Sequence, residues 1–226
     1  MRFADIIYSV IFFIAAIIPL CIFSLLKIII DGTPLFYKSN RVGHMSKPIP
    51  ILKFRTMVID REMVESEVKK YSSLGFQSIP LSSPAYTKIG RIFEKYQIVE
   101  IPQLFSIFLG DMSFIGNRPL PKNNSKALIK KFGKNTFNLR QSIKPGLTGL
   151  SQILGKDAQT PEERIRNECV FSLFVMRSSP FRVLYVYHII MIETFLLIFL
   201  GKKPLTKFIL KYIYAYSEDC SNISHI

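Results

Sequence analysis

The sequence predicts an α+β fold that is mostly helical, with a small β element and amphipathic helices, and three observations carry this prediction. The 226 residues have a net charge of +14, yet 49% of them are hydrophobic and the mean hydropathy is +0.25. Residues 6–26 contain no charge, whereas a polar and basic composition begins at Gly32. Apolar and basic residues are therefore segregated along the chain, which favours lipid contact for the first group and water for the second.

The positive charge restricts the classes of partner. A basic protein favours nucleic acid, an anionic membrane surface or phosphorylated ligands. No nucleic-acid-binding motif occurs, and aromatic residues do not alternate with basic ones as in a base-stacking surface. We therefore expect anionic membrane lipids and phosphate-bearing ligands, and no nucleic acid. The cysteines Cys21, Cys169 and Cys220 have no metal-ligand or disulfide spacing, which predicts free thiols in a reducing compartment.

The first apolar segment can enter a membrane in two ways. Residues 6–26 would form a helix of about 31 Å, which matches a bilayer core of roughly 30 Å. Pro19 lies inside this segment, and a proline kinks or breaks a helix because it lacks the backbone N–H. The segment is therefore either a kinked span or a hairpin that enters and leaves one leaflet. The flanking charges, Arg2 and Lys27, do not choose between these topologies.

The central stretch, residues 97–121, contains the first candidate site. Glu100 lies in a short amphipathic turn, and the apolar run that follows it stops at Gly110. The turn Gly116-Asn117-Arg118-Pro119 presents one guanidinium in a rigid setting, which suits an oxyanion such as phosphate. A buried helix followed by a surface turn explains the same pattern equally well.

The remaining elements are predicted from periodicity and from turn residues. Strands are expected at 34–37 and 49–57, with a turn at 40–43 between them. Alternation places Lys53 and Arg55 on one face of the second strand, where they could bind a diphosphate or simply face water. Helices are predicted at 60–71, 88–95, 120–140 and from 161, with a loop at 72–86.

A second apolar stretch, residues 183–200, is interrupted by His188 and Glu193. Buried charge is costly in lipid, so these interruptions favour a helix packed on the first segment or lying at the interface over a free span. Residues 205–216 combine apolar side chains at helical spacing with nearby lysines, which predicts an amphipathic interfacial helix before a frayed tail.

Several motifs resemble those of the bacterial sugar transferases, the monotopic phosphoglycosyl transferases, and they stand in the order typical of that family. The resemblance covers about residues 2–200. The motifs are Asn40-Arg41-Val42-Gly43, Lys53-Phe54-Arg55-Thr56-Met57, Glu100-Ile101-Pro102-Gln103-Leu104, Gly110-Asp111-Met112-Ser113, Gly116-Asn117-Arg118-Pro119 and Lys144-Pro145-Gly146-Leu147-Thr148-Gly149-Leu150-Ser151-Gln152.

This resemblance implies an activity and a place in the cell. Such enzymes transfer a sugar-1-phosphate from a nucleotide diphosphate sugar to polyprenyl (undecaprenyl) phosphate, through an aspartyl intermediate and with Mg²⁺, in surface polysaccharide biosynthesis. The place is the cytosolic face of the bacterial inner membrane. By the same resemblance, Pro19 marks the break of a re-entrant helix in residues 1–31, followed by a cytosolic transferase-like domain at 32–201. Residues 202–226 would form a basic amphipathic helix and tail.

The resemblance also assigns site residues, and it exposes departures from the family pattern. It implies Glu100 as the catalytic acid and Mg²⁺ ligand. Substrate contacts are implied for Lys53, Arg55, Asn117, Arg118 and Gln152. Val99, however, stands where the family has its nucleophilic Asp, and Glu94 stands where it has an Arg. A further family acid aligns with Phe171, although Glu168 is near.

Three hypotheses follow from these departures. The chain is an active transferase in which Glu100 or Glu168 replaces the nucleophile or metal ligand. Alternatively, it is a non-catalytic relative that binds substrate, a second copy of itself or a partner transferase. In the third hypothesis, it is a basic membrane-surface protein that shares only the architecture. A valine cannot attack phosphorus, which favours the second hypothesis.

Overall fold

The structure is a computed structural model, which describes residues 2–71, 79–155 and 158–216. The predicted tail and residues 72–78 of the predicted loop at 72–86 lie outside the described residues. The helices are α1 (Arg2–Asp31), α2 (Arg61–Tyr71), α3 (Lys88–Lys95), α4 (Leu104–Leu109), α5 (Lys122–Arg140), α6 (Leu150–Leu154), α7 (Pro161–Arg177), α8 (Pro180–Leu200) and α9 (Thr206–Ala215). The strands are β1 (Phe36–Val42), β2 (Pro48–Phe54), β3 (Ser113–Ile115), β4 (Leu120–Pro121) and β5 (Gly146–Thr148). The chain is thus mostly helical with a small β component, as predicted.

The strands form two small sheets. The first is antiparallel, in the order β2-β1-β4, and the second pairs β3 with β5 in parallel. The predicted turn at 40–43 is wrong, because β1 stays paired with β2 as far as Val42. The chain reverses in a short 3-10 helix, His44–Ser46, where Met45 and Ser46 adopt positive φ. The backbone N–H of Gly43 donates to the carbonyl of Lys47 and closes this hairpin.

The parallel pair β3–β5 depends on a close approach of two glycine-rich segments. The backbone N–H of Gly116 donates to Thr148, and that of Gly146 donates to Asn117. A Cβ at Gly146 would lie 2.0 Å from the Gly116 nitrogen, so only glycine fits there. This contact brings the Gly-Asn-Arg-Pro turn against the loop that leads into α6.

Helix α1 is continuous through Pro19, so the structure contains no helix break at that residue. A proline removes one backbone hydrogen bond, and a long helix can absorb that loss as a kink. One side of α1 contacts the rest of the protein along the whole helix, while its other sides expose large apolar residues. The contacting residues recur every three or four positions: Arg2, Asp5, Tyr8, Phe12, Ala16, Leu20, Phe23, Lys27 and Asp31. By length and apolarity, α1 and α8 are the two described helices that could cross a membrane.

Both polar residues that interrupt α8 have partners inside the protein. His188 Nε2 lies 2.5 Å from the Tyr8 hydroxyl of α1, and Nδ1 lies 2.7 Å from the Leu184 carbonyl. The carboxylate of Glu193 is fully buried and accepts hydrogen bonds from the Leu205 N–H and the Thr206 hydroxyl at the start of α9. The contact between Tyr8 and His188 therefore supports the prediction that α8 packs on α1.

Helix α9 belongs partly to the core. Its Ile209 and Ile213 are buried in the main apolar cluster, together with Ile51 of β2 and Phe174 of α7. The predicted apolar face is therefore largely covered by protein, and Phe208 is an apolar residue of α9 that remains exposed.

A complete capping box begins α7, where the Thr160 hydroxyl and the Glu163 carboxylate exchange hydrogen bonds with backbone N–H groups.

Candidate functional site

Three charged side chains that are distant in sequence meet at the centre of the protein. Lys53 Nζ at the end of β2 lies 2.8 Å from Glu100 Oε1. Arg118 contacts the same carboxylate through both terminal nitrogens, with Nη2–Oε1 at 2.5 Å and Nη1–Oε2 at 3.4 Å. The pairs span 47 and 18 residues of sequence. The structure therefore brings together three of the predicted site residues.

Local backbone structure explains the position of Glu100. Gln97 adopts a left-handed conformation, with φ of 57°, and a 3-10 helix of residues Ile98–Gln103 follows it. This helix packs on β2, so Glu100 reaches Lys53 while the carboxylate is almost completely buried. Positive φ is uncommon in residues other than glycine, and the residues that adopt it are often found at functional sites.

The environment keeps the carboxyl of Glu100 ionised. Burial works to raise its pKa, but the charges of Arg118 and Lys53 and their hydrogen bonds outweigh burial and hold the pKa well below its ordinary value. Both oxygens of the ionised carboxylate are already paired with cations.

An amphipathic cavity of about 540 Å³ adjoins this cluster. The cavity is lined mostly by apolar side chains, and its polar lining residues include Lys95, Glu100, Arg118 and Gln152. The apolar lining includes Phe12 and Ala16 of α1, Phe114 of β3, and Phe195 and Phe199 of α8. A lining that combines cations with a large apolar surface suits a ligand that carries both phosphate and hydrocarbon.

Gln152 carries a buried side-chain amide that is free to contact a ligand in the cavity. Its side-chain oxygen and nitrogen are both buried and have no hydrogen-bond partner within the described protein. A buried amide without partners costs free energy, so native proteins normally satisfy it with protein, water or ligand. Because Gln152 lines the cavity, its predicted substrate contact fits this position.

Behind Arg118 lies a buried ionic group that holds its backbone. Arg140 Nε lies 2.5 Å from the Glu168 carboxylate, and its Nη2 donates to the Arg118 carbonyl at 2.6 Å. Arg164 Nε lies 3.3 Å from the other oxygen of Glu168. Glu168 is fully buried, and its pKa is lowered: burial works against this, but the charges of Arg140 and Arg164 outweigh it. Glu168 therefore has a structural role outside the cavity. This position does not support the hypothesis that Glu168 replaces the nucleophile.

Asn117 and Arg55 do not lie where the sequence prediction needs them. The amide nitrogen of Asn117 is buried and donates to the Arg140 carbonyl, the Glu168 carbonyl and the Ser172 hydroxyl. The Arg55 guanidinium donates to backbone carbonyls at the end of α1 and in the loops beside β2, which are those of Asp31, Gly32, Pro34 and Met57. Asn117 therefore positions the Arg118 turn and Arg55 fixes the end of α1, and neither side chain is available to a ligand in this arrangement.

Arg41 is a cation that the sequence prediction did not assign to the site. In the β1–β2 ladder, Tyr37 pairs with Lys53 and Arg41 pairs with Ile49, so alternation puts Arg41 and Lys53 on one face. Burial lowers the pKa of Arg41 and the nearby charge of Arg118 lowers it further, while Glu100 raises it. The register of the hairpin could have indicated this residue, since both cations belong to recognisable motifs.

The residues at the altered family positions have structural surroundings. Val99 is 2% exposed and packs with Phe54 and Phe93, and Phe23 of α1 lies against the same cluster. Glu94 accepts a hydrogen bond from the Thr56 hydroxyl at 3.0 Å. Phe171 is buried in the main core. The side chain of Val99 is therefore part of an apolar contact and does not line the cavity.

The residues around Glu100 do not fit the Mg²⁺ ion that the resemblance implies. Magnesium prefers oxygen ligands, commonly one or two carboxylates together with substrate phosphates. Within the described ranges, no group of three or more His, Cys, Asp or Glu side chains could hold a metal ion. The oxygens of Glu100 are bonded to Lys53 and Arg118, so a dication there would face two cations at contact distance.

Comparison with known proteins agrees with the motifs. The sequence model of the family described as bacterial sugar transferase matches residues 1–200. The galactosyl transferase CpsE of Streptococcus agalactiae is 34% identical over 136 residues, which are 60% of this chain and 29% of that protein. The undecaprenyl-phosphate galactose phosphotransferase of Salmonella typhimurium is 31% identical over 169 residues, 73% of this chain and 34% of the relative.

A relative in Escherichia coli, named UDP-glucose:undecaprenyl-phosphate glucose-1-phosphate transferase, is 26% identical over 178 residues. These residues are 78% of this chain and 36% of the relative, so the chain spans about a third of the length of these three proteins. The family model covers most of the chain, and three of the six motifs contribute residues to the cavity lining, among them Glu100, Arg118 and Gln152. The chain belongs to the bacterial sugar transferase family.

Proposed function

We propose that this chain binds a nucleotide diphosphate sugar and polyprenyl phosphate at the cytosolic face of the bacterial inner membrane, in surface polysaccharide biosynthesis, without forming a covalent aspartyl intermediate. The observation that carries the proposal is the cavity itself, whose lining combines cations with apolar side chains and lacks a free carboxylate among its described residues. The names of the relatives supply the substrate classes, which are UDP-sugars and undecaprenyl phosphate.

The polar residues that line the cavity suit the phosphates of both substrates. Arg118 presents a planar guanidinium that can bind two phosphate oxygens, and the exposed Lys95 is a second cation of the cavity lining. The unpaired amide of Gln152 can both donate and accept, so it fits a sugar hydroxyl or the imide edge of uracil. Thr148 lies beside it, with its hydroxyl 2.9 Å from that of Thr194.

The apolar lining of the cavity and the outer surface of α1 together suit a monotopic association, in which the protein enters one leaflet without crossing it. Arg2 near the start of α1 donates to carbonyls of α4, and Asp31 at the end accepts from the Thr87 hydroxyl before α3. A helix bound to one body along its whole length cannot have that body on one side of a membrane and its own end on the other. The exposed apolar sides of α1 are then available to lipid.

Loss of the covalent step follows from the surroundings of three residues. Val99 has no nucleophilic atom, and its side chain is buried in an apolar cluster with Phe54 and Phe93. Glu168 is sealed between two arginines. A carboxylate nucleophile needs an accessible oxygen, and those of Glu100 are held by Lys53 and Arg118. A chain of this kind would act by delivering substrate to a partner transferase or to a second copy.

A second candidate function is retained because Glu100 is the one acid among the described residues that line the cavity. An incoming diphosphate could take over Lys53 and Arg118 and release the carboxylate. Glu100 would then attack the phosphorus next to the sugar, forming a glutamyl phosphosugar and releasing the nucleoside monophosphate. Polyprenyl phosphate would complete the transfer by attacking that intermediate.

One assay separates the two functions. The full chain in detergent or nanodiscs is incubated with a panel of nucleotide diphosphate sugars and undecaprenyl phosphate, and nucleoside monophosphate release is measured beside nucleotide binding. We expect binding without release, unchanged in the control Lys130→Gln on the exposed side of α5. Release that disappears in Glu100→Gln would establish the second candidate. Absence of all binding would leave a protein that shares only the family architecture.

Topology is tested separately by cysteine labelling. Phe3, which is 78% exposed, is replaced by cysteine in a chain whose other cysteines are serine. We expect a membrane-impermeant maleimide to label Phe3→Cys in inverted inner-membrane vesicles and not in intact spheroplasts, as for the control Lys130→Cys. Labelling of Phe3→Cys from the periplasmic side would refute monotopic association.

A further inference from the structure

The cationic cluster has an arrangement that bears on how a diphosphate would be held. Lys53 and Arg118 share one carboxylate, that of Glu100, and Arg41 lies on the same sheet face as Lys53. The charge of Glu94 also acts on Lys53 and Arg118, so three cations face two anions and leave one positive charge in excess. Because Glu100 at the centre of the cluster is buried, this excess is poorly screened by solvent, and displacement of the Glu100 carboxylate would expose two charges to a dianionic group.

Three separate elements fix these cations before any ligand arrives. Arg41 belongs to β1, Lys53 to β2, and Arg118 to the turn before β4, where β1 and β4 also pair through Arg41 and Pro121. Arg140 holds the carbonyl of Arg118 at 2.6 Å from within the core. Binding would therefore require little reorganisation of the backbone, which favours affinity.

The side chains around Glu100 are unsuited to binding a divalent metal at the position of the diphosphate. A metal ligand must offer free oxygen lone pairs, whereas both oxygens of Glu100 receive hydrogen bonds from cations. No cluster of three metal-binding side chains occurs at 2–71, 79–155 or 158–216. The charge that Mg²⁺ would supply to a diphosphate is instead supplied by protein side chains.

We propose that Arg41, Lys53 and Arg118 form a metal-independent binding site for the diphosphate of a nucleotide, in which Glu100 acts as a counter-ion that the diphosphate displaces. This inference rests on the proposed function, because that function supplies the nucleotide. It adds Arg41 as a binding residue and replaces the metal with side-chain charge.

The role of Glu100 can be tested through the sign of one substitution. As a counter-ion, Glu100 competes with the diphosphate for Lys53 and Arg118, so Glu100→Gln should strengthen UDP binding by about threefold or more. As a metal ligand, Glu100 would help to hold Mg²⁺ against the diphosphate, and Glu100→Gln would weaken the binding. The two roles therefore predict opposite changes in Kd.

The probe is UDP, titrated calorimetrically into the full chain in nanodiscs with either EDTA or millimolar Mg²⁺. We expect the Kd values under the two conditions to agree within about twofold, since the side chains alone neutralise the diphosphate. Arg41→Gln should weaken binding about tenfold in EDTA, because a charge-assisted contact is lost, and Lys130→Gln should leave it unchanged.

The outcomes distinguish the inference from the function beneath it. The inference is overturned if UDP binding needs Mg²⁺, or if Glu100→Gln binds UDP with a higher Kd than the unmodified chain. Either result leaves the proposed function standing. Absence of UDP binding under both conditions overturns the two together. The comparison of EDTA with Mg²⁺ uses the unmodified chain, so it decides the question even if a variant fails to fold.

Discussion

Replacing Val99 with aspartate restores the family residue in sequence, but the structure predicts a large loss of stability. Val99 is 2% exposed and lies among Phe54, Phe93 and Phe23. Removal of its buried apolar side chain costs about 1.5 kcal/mol. An aspartyl carboxyl with no partner in that cluster has a raised pKa. Lifting the pKa from about 3.9 to 7 or above costs about 4 kcal/mol at pH 7, at 1.36 kcal/mol per pKa unit.

The total of about 5–6 kcal/mol is comparable with the whole stability of a typical domain, which is about 5–15 kcal/mol. Val99→Thr is the matched control, because it keeps the shape and adds only a neutral hydroxyl at about 1–3 kcal/mol. Free energies of unfolding would be measured by denaturant titration in a fixed detergent, for both variants and the unmodified chain.

The pH dependence has a definite sign. Between the unfolded pKa of about 3.9 and the raised folded pKa, the folded Val99→Asp protein binds more protons than the unfolded one. Its deficit therefore grows as pH rises through that window, and about 4 kcal/mol of it should be recovered between pH 7 and pH 4. Equal stability of Val99→Asp and Val99→Thr at pH 7 would refute the conclusion that the side chain at position 99 lies in an apolar cluster. The aspartate would then have reached the cations, where it could serve as a nucleophile.

Three further predictions concern the supporting structure. Glu168→Gln should cost about 3–5 kcal/mol, because two buried arginines lose their anion, whereas the surface control Glu162→Gln should change the unfolding midpoint far less. Since the pKa of Glu168 is held low, this cost should be present at neutral pH and shrink as pH falls below about 4. Burial raises the pKa of Cys169 to about 12, so in a chain whose other cysteines are serine, maleimide should react only after unfolding. Glu193→Ala removes the cap of α9 and should cost about 2 kcal/mol, which protease digestion of the C-terminal segment would detect.

Local patterns predicted much of the secondary structure. The helix at 88–95 agrees with α3 as observed, and the apolar run after Glu100 ends at Gly110, which adopts the left-handed conformation. Acids following Pro161 predicted the start of α7, which has a complete capping box. These features depend on residues within one or two turns of each other, and such interactions are legible in a single sequence.

The candidate site was predicted only in part. Glu100, Arg118 and Gln152 line the cavity, and Lys53 joins them through its ion pair with Glu100. Arg55 shares the predicted face with Lys53, but β2 ends at Phe54 and the chain then turns away, so its guanidinium meets the end of α1 instead. β2 ends three residues before the predicted boundary at Met57, and this difference is enough to send the Arg55 side chain to a different partner.

The sequence by itself determined the segregation of apolar and basic segments, most helices, the approximate position of the second strand, and membership of the family. Only the tertiary structure decided which cations meet Glu100, that Val99 is buried in an apolar cluster, and that His188 and Glu193 have partners inside the protein. The physical reason is range. Periodicity and capping act over a few residues, whereas an ion pair across 47 residues exists only after the intervening chain has folded.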